Sequence, residues 1–108
     1  MTDERVGQVA VIFVSQRRGD DPAGYAAAAA AMERLAAVQP GYRGIRAVRG
    51  ADGIGITVSR WADEAAAIAW RDQPDHHRIH EAGRERWYAW YEVTVAQVLR
   101  CHAGGTAR

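Results

Sequence analysis

A chain of 108 residues allows one packed domain and no second, since a domain of this size hides roughly two-thirds of the surface that its unfolded form exposes. The 48% hydrophobic and 25% charged composition and the formal net charge of +1 supply no field for drawing in nucleic acid or anionic lipid. All 14 basic residues are Arg, and Lys and Asn are absent, which excludes a Schiff-base lysine and any role for an asparagine amide.

Val9 to Gln16 reads VAVIFVSQ, with apolar residues on both alternating faces, and predicts a strand covered on two sides. Asp21-Pro22 then gives an N-cap followed by the imino acid favoured at the first helical position. The helix continues through the alanines 26–31, with Tyr25, Ala29, Met32, Leu35 and Ala36 in one stripe, and Gln39-Pro40-Gly41 ends it. Arg43 to Ala51 and Ile54 to Trp61 flank Asp52-Gly53, which predicts two strands joined by a tight two-residue hairpin. Asp63 caps a second helix through about Asp72, a third helical piece runs from about Pro74 to Trp87, and Tyr88 to Arg100 reads as the last strand.

This order predicts an α+β domain over residues 9–100, of the ferredoxin-like β-α-β-β-α-β kind. Right-handed crossovers then place the helices on one face of an antiparallel four-stranded sheet. Residues 1–8 and 101–108 read as flexible ends. The other sheet face would be bare, yet Val93, Val95, Gln97 and Leu99 alternate with Thr94, Ala96 and Val98, so the last strand is largely apolar on both sides. A second copy of the sheet is the simplest cover, and a homodimer is expected. Cys101 is the one cysteine, with no partner for a disulfide or a thiolate-rich zinc site. The polar start, with Asp3, Glu4 and Arg5, has no apolar export segment, and no run reaches about eighteen apolar residues. A cytoplasmic protein with no membrane and no nucleic-acid partner is expected.

The segments Phe13-Val14-Ser15-Gln16-Arg17, Gln39-Pro40-Gly41-Tyr42, 52–61 (DGIGITVSRW) and 83–88 (GRERWY) resemble the antibiotic biosynthesis monooxygenase superfamily. The resemblance implies a dimeric ferredoxin-like α+β barrel with a pocket in each monomer between sheet and helices. It also implies one of several fates for a small planar hydrophobic molecule. Some members oxidise polycyclic phenols to quinones without flavin or metal, others open haem, and many have no assigned reaction. The leading expectation is a cofactor-independent monooxygenase on an aromatic, phenolic or quinol-type molecule, with no cofactor and no metal. The alternative is a haem-binding or haem-degrading dimer, with haem as ligand or substrate, or a non-catalytic binding protein of the same fold.

On a helical wheel of the third helical segment, His76, Ile79, His80, Gly83 and Trp87 cluster on one face, so His76 and His80 turn inward together. Two histidines four residues apart make a weak metal site without a third ligand. Histidine titrates near neutral pH, which makes His80 or His76 the candidate catalytic base. Trp70 lies about 200° around its helix from Ile68, the one large aliphatic there. It reads either as a residue packed at the helix end or in the subunit contact or, by the resemblance, as a pocket wall acting with the catalytic group. The spacing of ten residues from Trp70 to His80 resembles that of the tryptophan and iron ligand in the haem-degrading members. Near the end of the first strand, where those enzymes use asparagine, this sequence has Ser15 and Gln16. Phe13, Ser15, Tyr25, Trp70 and Trp87 are the expected substrate contacts, with Arg84 as an anchor for a carboxylate or phenolate.

Overall fold

The computed structural model describes residues 4–105, in the order β1 (Val9–Arg17), α1 (Pro22–Ala37), β2 (Tyr42–Arg49), β3 (Ile54–Trp61), α2 (Glu64–Asp72), α3 (Pro74–Arg86) and β4 (Tyr88–Gln97). All pairings are antiparallel and the sheet order is β2-β3-β1-β4, as expected of the ferredoxin-like arrangement. Each helix starts where a polar side chain captures a free backbone donor. Asp21 accepts from Gly24 N–H, Asp63 from Ala66 N–H at 2.8 Å, and Gln73 from His76 N–H at 2.8 Å.

The strand register separates the two faces. Val9 pairs with Trp61 and Gln97, Phe13 with Thr57 and Val93, and Ser15 with Gly55 and Tyr91, so these side chains share the face that carries the helices. The core there is Val9, Ala36, Trp61, Ala67 and Trp70, with Val11, Met32, Leu35, Tyr42 and Ala66 packed against it. In the α1 stripe Ala28 takes the half-buried place expected of Ala29, which is exposed. Ile12, Val14, Ile54, Ile56, Val58, Val48 and Trp90 fall on the opposite face, which no helix covers.

Two strand ends differ from expectation. β2 stops at Arg49, and residues 50–53 form a four-residue loop closed by Gly50 N–H to the Ile54 carbonyl and Gly53 N–H to the Gly50 carbonyl. The Asp52 carboxylate accepts from Ile54 N–H at 2.9 Å and Gly53 holds φ +85, so both residues act in the turn, in a wider loop than the two-residue form. β4 stops at Gln97, opposite Val9, the first residue of β1. Of the ends expected to be flexible, residues 1–3 and 106–108 lie outside the described residues. Gly7 N–H donates to Val98 and Val98 N–H to Gln8, each at 2.9 Å.

Gly41 turns the chain from α1 into β2 at φ +82, and a Cβ there would sit 2.5 Å from the Ala66 methyl of α2. Gly41→Ala therefore strains the backbone and pushes α2 off the sheet together. Urea unfolding is expected to show a loss of about 1–3 kcal/mol, and a loss below about 0.5 kcal/mol would contradict this packing.

Candidate functional site

The inward face of α3 and the middle of β1 and β4 enclose an aromatic cluster. Phe13 lies 5.8 Å from His80, 5.4 Å from Tyr88 and 5.7 Å from Tyr91, and His80 meets Tyr91 edge-on at 5.1 Å. All four rings are half-buried. Among the described residues neither ring nitrogen of His80 has a hydrogen-bond partner. Burial is the main cause that lowers the His80 pKa, with Arg84 and His77 adding to it and Glu81 opposing it. At neutral pH His80 is thus an uncharged imidazole in an apolar surround, with a nitrogen lone pair free for a proton.

His76 is held differently. Its ring stacks on Trp70 at 3.9 Å and 10°, and its Nδ1 lies 2.6 Å from the Trp70 carbonyl oxygen. A carbonyl only accepts, so Nδ1 carries the hydrogen and His76 is fixed in that tautomer. Burial chiefly lowers its pKa; the Trp70 carbonyl opposes this, and His80 and His77 reinforce it. Trp70 also stacks on Trp61 at 5.4 Å and 23°, and the fully buried Trp61 donates its indole N–H to Ser59 Oγ at 3.0 Å. Trp70 is 6% exposed against 41% for Ile68, so the tryptophan is the inward side chain of α2.

A third group closes the hairpin end. Arg49 extends over Gly55, where a Cβ would come within 2.6 Å of its Nη2, and donates to Ser15 Oγ at 2.9 Å, the Ser15 carbonyl at 3.1 Å, the Gly53 carbonyl at 2.6 Å and Tyr25 Oη at 3.1 Å. Arg17 lies over the Tyr25 ring at 4.1 Å. Trp87 packs edge-on against Tyr25 at 6.1 Å and donates to the Asp21 carboxylate at 3.4 Å. Burial first, then the charge and hydrogen bond of Tyr25, push the Tyr88 hydroxyl far above its usual range, against the smaller influence of Arg49 and Arg17.

The structure thus brings Phe13 and His80 together and puts His76 beside them, 6.2 Å from His80. It sets Ser15, Tyr25 and Trp87 at the hairpin end, joined to Phe13 through Tyr88. Trp70 reaches this region only through His76, and its ring is already engaged by two stacking partners. Arg84 pairs with Glu81 at 3.1 Å on the exposed side of α3, with its guanidinium 5.9 Å from the Tyr91 ring. Sequence reasoning did not single out Arg49; the available signal was an arginine placed across the hairpin from a glycine. Among the described residues no three His, Cys, Asp or Glu side chains are grouped to hold a metal ion. Among the described residues no helix is long and apolar enough to cross a membrane.

The sequence model of the family described as antibiotic biosynthesis monooxygenase matches residues 8–82. A Bacillus subtilis protein, the uncharacterized YqjZ, is 47% identical over 91 residues, covering 84% of this chain and 79% of that one. Among solved structures, a mutant of SnoaB, a cofactor-independent oxygenase from Streptomyces nogalater, superposes with a TM-score of 0.77 at 19% identity, covering 89% of this chain and 97% of the other. Rv0793 from Mycobacterium tuberculosis gives 0.78 at 23% identity, covering 89% and 99%. At these identities the two structures speak for the fold.

Both inward histidines have folded-state pKa values below the ordinary 6.5. The unfolded chain therefore binds protons on them first as pH falls, so their contribution to stability is complete above about pH 6.5 and is lost as pH drops through the folded values. Imidazole NMR titration should place both His76 and His80 below 6.5, with stability falling as the solution is acidified from neutrality. A midpoint above 6.5 for His80 would contradict the site.

Proposed function

The chain belongs to the antibiotic biosynthesis monooxygenase family, and from that premise we propose that it is a cofactor-independent monooxygenase acting on an electron-rich aromatic, phenolic or quinol-type molecule. The observation that carries this reading is His80: uncharged, half-buried among Phe13, Tyr88 and Tyr91, and with no hydrogen-bond partner among the described residues. A planar ring against Phe13 would present its hydroxyl to that imidazole. His80 takes the phenolic proton, and the resulting anion reacts with dioxygen at the ring carbon opposite the oxygen. One oxygen atom becomes the second quinone carbonyl, and the other leaves as water with the ring and hydroxyl hydrogens, so a phenol and one O₂ give a quinone and one water. Neither flavin nor metal enters this balance. The structural likeness to a protein described as a cofactor-independent oxygenase supports the same reading. The half-buried rings around His80 favour the chemistry, because they would screen the anion and the dioxygen from part of the bulk water.

The working unit in this proposal is a homodimer. The helix-free face carries Ile56 at 43%, Val48 at 72% and Trp90 at 45% exposure, an apolar surface that a second copy would cover. Exposed Arg46 on β2 and Glu92 on β4 lie at opposite sides of that face, a placement that a two-fold axis can make complementary.

With 1-naphthol as probe, and a hydroxyanthracene as its larger analogue, oxygen uptake should match quinone formation one to one. His80→Gln should slow turnover by about 10²–10⁴-fold while ring binding persists. No uptake with either phenol, or a His80→Gln variant as fast as the parent, would overturn the proposal.

In sedimentation equilibrium the parent should show twice the 11.8 kDa chain mass and Ile56→Asp the single mass, since a carboxylate on the covered face has no partner. A parent of single mass at micromolar concentration would contradict the dimer.

A further inference from the structure

Arg49 is a guanidinium held between sheet and helices with no carboxylate paired to it among the described residues. Its path is built into the sequence. Arg49, Gly55, Ser15 and Tyr91 form one cross-strand row on the helix face, and only the missing side chain at Gly55 lets the arginine lie across β3 to reach β1 and α1. All four terminal N–H groups are then engaged, by the Ser15 hydroxyl and carbonyl, the Gly53 carbonyl and Tyr25 Oη. Arg49 therefore has no terminal donor left for a ligand, and what it does, it does through the groups it holds.

The group that matters is the Tyr25 hydroxyl. Its oxygen accepts from Arg49 Nη2 at 3.1 Å, and the Tyr88 ring packs edge-on against the Tyr25 ring at 6.1 Å. A phenol oxygen has two acceptor positions and one hydrogen; the guanidinium holds one acceptor position, and the hydrogen, which cannot point at that donor, has no acceptor among the described residues. Arg17, over the Tyr25 ring and itself engaged by the Asp20 and Trp87 carbonyls, adds a second positive charge at this end. The Asp21 carboxylate is engaged by Gly24 N–H and the Trp87 indole.

We infer that Arg49 is a positioning residue that turns the Tyr25 hydroxyl hydrogen away from itself, so that this hydrogen, beside the Arg49 and Arg17 guanidinium groups, makes the pocket select planar ligands carrying an anionic oxygen at the Tyr25 end. A ligand with only donors there would face another donor and two guanidinium groups. This rests on the space around Phe13 and His80 being the ligand pocket, and it adds to the proposed reaction the polarity of the molecule that reaction takes.

Three probes of one shape separate the possibilities: 2-naphthoate, 2-naphthylmethylammonium and 2-methylnaphthalene, each titrated by tryptophan fluorescence. The parent should bind the carboxylate about tenfold or more tighter than the ammonium. Tyr25→Phe, which keeps the ring and its packing, should bring that ratio to within about threefold while leaving 2-methylnaphthalene affinity unchanged. Arg49→Met should do the same, and Arg49→Lys should restore part of the preference, a rescue that a purely structural role would not produce. Circular dichroism and melting of each variant identify any that fail to fold, and Tyr25→Phe then decides alone. Equal or inverted affinities in the parent, or a ratio that survives Tyr25→Phe, overturn the inference while the oxygenase reading stands. Carboxylate selectivity in a protein that consumes no oxygen sustains the inference and removes that reading. Binding of none of the three probes overturns the pocket and the inference together.

Discussion

The stack of Trp61, Trp70 and His76 is the contact on which the rest of the site depends. Trp61 ends β3 fully buried, Trp70 lies on the inward side of α2, and His76 opens α3, so one column of rings ties three consecutive elements together. Large aromatic surfaces buried this way dominate the energetics of a small core. The buried residues beside them are few and mostly small: Val9, Ala36 and Ala67. With His76 locked by its ring contact and by its bond to the Trp70 carbonyl, the axis of α3 is set, and His80 one turn later is delivered to Phe13 and Tyr91.

The two inward histidines thereby divide the labour. His76 has one nitrogen committed to a backbone carbonyl and its ring face on an indole, which makes it a structural link. His80 shares the same helix face and the same lowering of pKa by burial, yet keeps its nitrogens uncommitted among the described residues. The difference between support and candidate chemistry is one helical turn. At the hairpin end of the aromatic cluster a comparable division holds, where the terminal donors of Arg49 are engaged by protein groups and one of them fills an acceptor position of the Tyr25 hydroxyl.

Much of the fold was legible because its signals are local. Asp21-Pro22 and Asp63 announced their helices, the two-sided apolar run of β1 announced a central strand, and Asp52-Gly53 marked the hairpin. The hairpin width was not legible: whether Gly50 and Ala51 pair or turn depends on the register against β1, where Gln16 holds the Asp52 carbonyl and Arg17 N–H the Gly53 carbonyl. In the site, the inward face of α3 followed from 3.6-residue periodicity, and His80 beside Phe13 follows from it. For Trp70 the sequence left two readings open, and the structure packs it as an inward residue near the end of α2. A wheel drawn around Ile68 turns the indole away from the aliphatic side, whereas the indole, with far more surface to bury, takes the core and leaves Ile68 exposed. Arg49 was invisible for another reason. Its importance arises from the absence of a side chain at Gly55 on the next strand, and no periodicity within β2 records that.

In the proposed reaction the space between Phe13, His80 and the tyrosines is where a planar molecule meets the free imidazole. A crystal structure of the protein soaked with 1-naphthol tests it most directly. The ring is expected to pack against Phe13 with its hydroxyl within hydrogen-bond distance of a His80 ring nitrogen. A naphthol lodged elsewhere, with His80 bonded to a protein group in its place, would contradict it.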